Sequence, residues 1–145
     1  MKISTKGRYG LRLMIDLGVS YNKGLVPLKD VAARQDISDK YLEQIIMQLN
    51  RAGFVRSTRG AHGGYALAMP PEQIMVGDVL RVLEGSLAPV DCVDCDKPDC
   101  DRVQTCVTYS VWMKIKEAVE DVVDNITLGS LVEEYNTRGQ LCYNI

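Results

Sequence analysis

The 145-residue sequence has no long hydrophobic run. That excludes a membrane-spanning helix, which needs about 20 consecutive apolar residues. The first twenty residues interleave Lys2, Lys6, Arg8, Arg12 and Asp16 with the apolar ones, so no secretory leader is expected. Internal repeats and low-complexity tracts are also missing. With 46% hydrophobic and 25% charged residues, the chain is neither collagen-like, nor disordered, nor a lone coiled coil, and it can bury a core. Its length suits one compact domain with a small oligomerisation element and excludes a large multidomain enzyme. Histidine occurs once, as His62. In a glycine-rich turn it is expected to face solvent or a phosphate rather than a metal.

Two features are present in place of these. Residues 1–65 carry eleven Lys and Arg against five Asp and Glu, whereas residues 66–145 carry six against fourteen. A basic half joined to an acidic half points to a polyanionic partner at one end, with ordinary solvated charge as the plainer alternative. The second feature is five cysteines. In a chain without a leader they are expected to meet a reducing cytoplasm, where clustered thiols serve metal binding or redox chemistry more often than structural disulfides.

Hydrophobic periodicity organises the rest. Leu11, Met14, Ile15 and Gly18 share a helical face that Ser4 or Thr5 can cap. Leu28, Val31 and Ala32 mark a two-turn helix that breaks at Gln35-Asp36. Ser38 can cap a third, with Leu42, Ile45, Ile46 and Leu49 inward and Gly53 as its stop. Two short helices joined by a tight turn read as helix-turn-helix. Phe54 to Arg59 and Tyr65 to Met69 then read as strands around Gly60-Ala61-His62-Gly63-Gly64, a hairpin closed by Pro70-Pro71.

A fourth helix carries Val76, Val79, Leu80 and Leu83 and ends at Gly85. Ser86 to Thr105 loses all periodicity and reads as an irregular loop with no core pattern of its own. Val111, Ile115, Ala118, Val119, Val122 and Ile126 then predict a helix of about six turns, roughly 30 Å long. In so short a chain its apolar face is expected to pack on a second subunit, with packing on the first helix as the alternative. Thr127 is expected to cap a short final helix with Leu128, Leu131 and Val132. The fold class is therefore mainly α with a small β-hairpin wing, a winged helix-turn-helix plus a long dimerisation helix. Its parts are a DNA-binding region (1–85), a cysteine-rich loop (86–106) and a dimerisation segment ending in the short helix (107–145).

In a helix-turn-helix the second helix enters the major groove. Its leading residues here are Ser38, Asp39, Lys40, Tyr41, Glu43 and Gln44. Gln pairs with adenine, Glu accepts from cytosine, and Lys and Ser bond phosphates or base edges. Arg56 and Arg59 flank the slim glycine turn, where arginine senses the minor groove. Cys92, Cys95, Cys100 and Cys106 are separated by two, four and five residues. Such thiolates can converge on an iron-sulfur cluster or zinc, and spacing alone does not choose.

The opening Met1-Lys2-Ile3-Ser4-Thr5-Lys6-Gly7-Arg8-Tyr9, the Tyr41-Leu42-Glu43-Gln44 element and the Arg59-Gly60-x-x-Gly63-Gly64-Tyr65 wing resemble the bacterial IscR, NsrR and CymR family of winged-helix transcription regulators. The likeness continues through Gly77-Asp78-Val79 and Leu83-Glu84-Gly85. It implies a homodimeric, non-catalytic repressor or activator on a palindromic duplex, with Ser38, Tyr41, Glu43, Gln44 and Arg59 as DNA contacts. It also implies that Cys95, Cys100 and Cys106 match the trio that holds an iron-sulfur cluster, [2Fe-2S] or [4Fe-4S], in IscR-like members, with one residue fewer in the first gap. Tyr109 stands where those members carry a histidine. The fourth ligand is then open between Cys92 and an aspartate among Asp91, Asp94, Asp96, Asp99 and Asp101.

Loss of such a cluster is expected to rearrange the loop and the spacing of the recognition helices. The runner-up is a CymR-like regulator of cysteine metabolism, controlled by zinc, by thiol state or by a cysteine-synthase-type protein partner. Cys92-x-x-Cys95 has the spacing of a redox dithiol. It follows no strand and opens no helix, which argues against a thiol oxidoreductase. Cys142 reads as a free or partly buried thiol, and Trp112 as packing.

Overall fold

The computed structural model describes residues 1–94 and 100–143, with side chains up to residue 139. Six helices and one hairpin follow in the order α1 (Thr5–Val19), α2 (Leu28–Gln35), α3 (Asp39–Arg51), β1 (Val55–Thr58), β2 (Gly64–Leu67), α4 (Val76–Glu84), α5 (Tyr109–Val123) and α6 (Leu128–Tyr143). Short 3-10 turns occupy Pro71–Gln73 and Asp91–Val93. The strands pair antiparallel in the register Val55 with Leu67 and Thr58 with Gly64. This is the winged-helix order expected from the pattern.

The core forms because three helices turn apolar stripes toward one another. Leu13, Met14 and Leu17 of α1 meet Leu42, Ile45, Ile46 and Leu49 of α3, and Val79 and Leu83 of α4 close the third side. The caps that end these helices are local. Ser38 Oγ accepts from Tyr41 N at 3.2 Å to start α3. Asp36, in the left-handed region at φ 53°, ends α2 at the expected break.

Two expectations need correction. The helix after the cysteine loop is 15 residues long and stops at Val123, so it spans about 22 Å rather than 30. Ile126 lies in the turn beyond, where its carbonyl accepts from Val76 N at 2.9 Å; apolar periodicity carried across that turn and lengthened the expected helix. The final helix is not short but runs 16 residues. No proline interrupts it, and an ion pair between Glu134 and Arg138 supports its weakly patterned second half. The loop after α4, which shows no core pattern in the sequence, still places two side chains inside. Leu87 and Val93 are buried, Leu87 in a second cluster with Val76 and Leu80, against which Val119 and Val123 of α5 pack.

These corrections also decide what packs on α1. It is α6, with Leu128 fully buried and Gly18 leaving space for Val132; a Cβ at Gly18 would lie 2.6 Å from Val132 Cγ2. Helix α5 instead lies beside α4 and the 91–93 turn and has no buried residue. Helix α5 approaches α1 at the second cluster, against which Leu11 of α1 also packs, while the extended packing along α1 is made by α6.

Candidate nucleic-acid interface and cysteine loop

Helix α3 buries one face and exposes the other. Lys40, Glu43 and Gln44 are exposed, as the sequence suggested, and Met47 and Arg51 continue the same outward face. Ser38 serves first as the N-cap, leaving its hydroxyl proton free to donate outward. Tyr41 is half-buried, and its ring sits edge-on to Tyr9 with centroids 5.9 Å apart. The Arg12 guanidinium covers the Tyr9 ring at 5.5 Å. Tyr41 thus anchors the start of α3 on α1, and the fully outward face begins with Lys40.

The wing is positioned by backbone contacts that only small residues permit. Gly60 adopts φ +114°, which opens the turn. Val26 and Tyr65 exchange two N–H···O bonds of 2.8 Å, adding the segment before α2 to the edge of the hairpin. A Cβ on Gly64 would lie 2.7 Å from the carbonyl of Val26, so glycine is needed for that approach. Asn50 Nδ2 donates to Ser57 Oγ at 3.2 Å and joins the end of α3 to β1. Arg56, Arg59 and His62 are exposed. Between the wing and the start of α2 lies a cleft of about 520 Å³ bordered by Lys29, Thr58, Arg59 and Gly60.

Charged contacts hold these elements to the rest of the fold. Asp16 is buried on α1, accepts from Arg34 Nη2 and Nε at 2.7 and 3.1 Å, and accepts from Gln35 Nε2 at 3.0 Å. The carboxylate beside it raises the Arg34 guanidinium pKa further. At the other end of α1, Glu84 Oε1 accepts from Ser4 N, Ser4 Oγ and Gly7 N at 3.1, 2.5 and 2.9 Å. The Ser4-Thr5-Lys6-Gly7 and Leu83-Glu84-Gly85 motifs therefore form one cap, 77 residues apart. Arg81 reaches Asp124 with two bonds of 2.7 and 2.8 Å, which ties α4 to the end of α5 and holds the Asp124 carboxyl below the usual aspartate range.

The loop between α4 and α5 carries the thiols. Cys92 lies half-buried in the 91–93 turn, Cys100 is exposed, and Cys106 is half-buried three residues before α5. Cys95 lies outside the described residues, and Cys142 falls on α6 beyond the described side chains. The Cys106 thiol is held below its ordinary pKa, first by the Thr108 hydroxyl at 3.1 Å and then by nearby backbone N–H groups. A more readily formed thiolate suits a soft metal. In kind, then, the donors fit an iron-sulfur cluster or zinc. In placement, no three His, Cys, Asp or Glu side chains converge on a metal position among the described residues.

A family model described as "Rrf2: Iron-dependent Transcriptional regulator" matches residues 3–134. This chain belongs to the Rrf2 family. It is similar to the HTH-type transcriptional regulator CymR of Bacillus subtilis, 43% identical over 90% of this chain and 89% of that one. The solved structure of CymR, the global cysteine regulator of B. subtilis, has a TM-score of 0.78 at 41% identity and covers 92% of this chain and 98% of that one. IscR of T. potens gives 0.76 at 46% identity, covering 93% and 88%.

The Rrf2 chain is thus a transcriptional regulator and not an enzyme, and its fold is the winged helix of these relatives. Four residues of these faces and contacts escaped the sequence. Met47 and Lys29 carried a signal, a lone methionine on a polar helical face and a lysine in the basic half at the start of a helix. Asn50 carried none, and Glu84 only its place in the Leu83-Glu84-Gly85 motif, because each acts through a contact that exists only after folding. Among the described residues, no helix is long and apolar enough to cross a membrane.

Proposed function

We propose that this Rrf2 regulator is a cytoplasmic homodimer that binds palindromic double-stranded DNA, with α3 in the major groove and the wing at the minor groove. The single observation that carries this reading is the outward face of α3, where Lys40, Glu43 and Gln44 are exposed and bonded through Asn50–Ser57 to the hairpin bearing Arg56 and Arg59. Gln44 and Glu43 offer the hydrogen-bond pattern of base readout, while Lys40, Arg56 and Arg59 supply charge for phosphates and the groove.

The outward stripe of α5 supports the dimer. Val111, Ile115, Ala118 and Val122 recur on one stripe, with Val111 47% and Val122 58% exposed. Ile115, Ala118, Val119, Val122 and Val123 line an apolar groove of about 330 Å³. A helix that leaves such a stripe uncovered within its own chain gains its burial from another helix. Equivalent stripes on two copies form a self-complementary, two-fold contact, matching a palindromic site.

The loop between the reader and this helix is the regulatory part. Cys95, Cys100 and Cys106, with Cys92 or a loop aspartate as the fourth ligand, would hold an iron-sulfur cluster, which supplies a centre sensitive to oxygen, nitric oxide and iron supply. The chain's part is to couple the loop to both neighbours, through Leu87 and Val93 in the core and Arg81–Asp124 at the α4–α5 contact. A second reading, control by zinc, thiol oxidation or a cysteine-synthase-type partner, is favoured by the exposed Cys100 and the acidified Cys106. The likeness to CymR points the same way.

Binding is tested by fluorescence anisotropy on a duplex that the wild-type protein selects from a randomised pool. Arg59→Ala, which removes one charge from each subunit, weakens binding and lowers the slope of log affinity against log salt by about 2. Gln44→Ala and Glu43→Ala relax base preference at one position each, by roughly 1–3 kcal/mol. Unchanged binding in all three variants contradicts the docking.

A further inference from the structure

The outward face of α3 holds one side chain that nothing above explains. Lys40, Gln44, Met47 and Arg51 follow at i, i+4, i+7 and i+11, with Glu43 at their side, and all are exposed. Directly opposite lie Leu42, Ile45, Ile46 and Leu49, each fully buried. Met47 is therefore central on the outward face and is its one apolar member. It is 52% exposed. It belongs to neither hydrophobic cluster among the described residues, so the core does not require a large apolar group there.

We propose that Met47 is a specificity-determining residue that packs against the 5-methyl group of a thymine in the major groove. The inference rests on the reading of α3 as the groove helix and adds a base contact to it. Among base edges in the major groove, the thymine methyl is the apolar feature. An exposed thioether flanked by amide, carboxylate and cationic groups is the side chain on this face suited to recognise it. Met is unbranched with a polarizable sulfur, so it can follow a methyl whose position varies with groove shape. Three residues of helix advance about 4.5 Å, against about 3.4 Å per base-pair step. Met47 thus reads a base pair within one or two steps of the one met by Gln44.

The test uses the selected duplex with each thymine position replaced, in both half-sites, by deoxyuridine, which removes only the methyl. Burial of one methyl corresponds to about fourfold in affinity, so the two half-sites together give roughly fifteenfold. At one thymine position the wild-type protein is expected to lose about that factor, whereas Met47→Ala binds thymine and uracil duplexes within about twofold of each other. Met47→Leu, still apolar, keeps most of the discrimination, and equal melting temperatures of the three proteins place the effect in binding.

If no thymine position separates wild type from Met47→Ala while Gln44→Ala and Arg59→Ala lose affinity, the methyl contact is overturned and the docking stands. If Gln44→Ala and Arg59→Ala also bind like wild type, the docking itself falls, and Met47 with it.

Discussion

Glu84 shows how a single carboxylate can hold two distant stretches of chain. Its Oε1 accepts from two backbone N–H groups and one hydroxyl at the start of α1, where the helix leaves donors unpaired and its dipole favours negative charge. A Cβ on Gly7 would fall 2.3 Å from that oxygen, which explains the glycine in the opening motif. Glu84→Ala is expected to cost about 1 kcal/mol, or about 4 °C in melting temperature, because water replaces the carboxylate at this half-exposed site. Thermal unfolding checks it, and an unchanged midpoint contradicts the cap. Local caps such as Ser38 and Thr127 were legible in the sequence, since a hydroxyl and the amide it accepts from lie three residues apart. The role of Glu84 was not, because its partners lie 77 and 80 residues away.

Among the elements, the wing depends on how closely two backbones meet. The two bonds between Val26 and Tyr65 make the segment before α2 a third partner of the hairpin. Gly64→Ala puts a methyl against the Val26 carbonyl and is expected to destabilise the fold by about 1–3 kcal/mol. Faster hydrogen exchange at the Val26 and Tyr65 amides would accompany the loss, and undiminished protection there would contradict this account of the wing. The hairpin itself was legible from its glycine turn and flanking pattern. Its lateral attachment was not, since Val26 sits in a connection with no strand periodicity. The same limit explains the helix lengths: apolar spacing ran through the α5–α6 turn at Ile126, while the polar second half of α6 offered too little pattern to mark a helix.

At the scale of the whole molecule, the proposed dimer and the proposed control by the loop share one helix. The outward stripe of α5 is exposed in the single chain, so Val122→Asp is expected to leave the fold intact and break the dimer. Analytical ultracentrifugation should then show a monomer, with affinity for the palindromic duplex lower by more than about tenfold, because two half-sites no longer bind as a unit. A dimer that survives Val122→Asp places the subunit contact elsewhere. The four loop cysteines were legible by spacing, and the described loop shows why spacing stops short: thiols on irregular chain have no period that fixes their distances.

In the proposed mechanism the state of the cysteine loop sets DNA affinity. This is tested most directly by measuring affinity for the selected duplex at one salt concentration, with protein purified anaerobically and with the same protein after removal of its metal by a chelator. Coupling between two sites is typically worth 1–3 kcal/mol, so the two affinities are expected to differ by about fivefold or more, with the difference abolished by Cys106→Ala. Equal affinities before and after removal would contradict it.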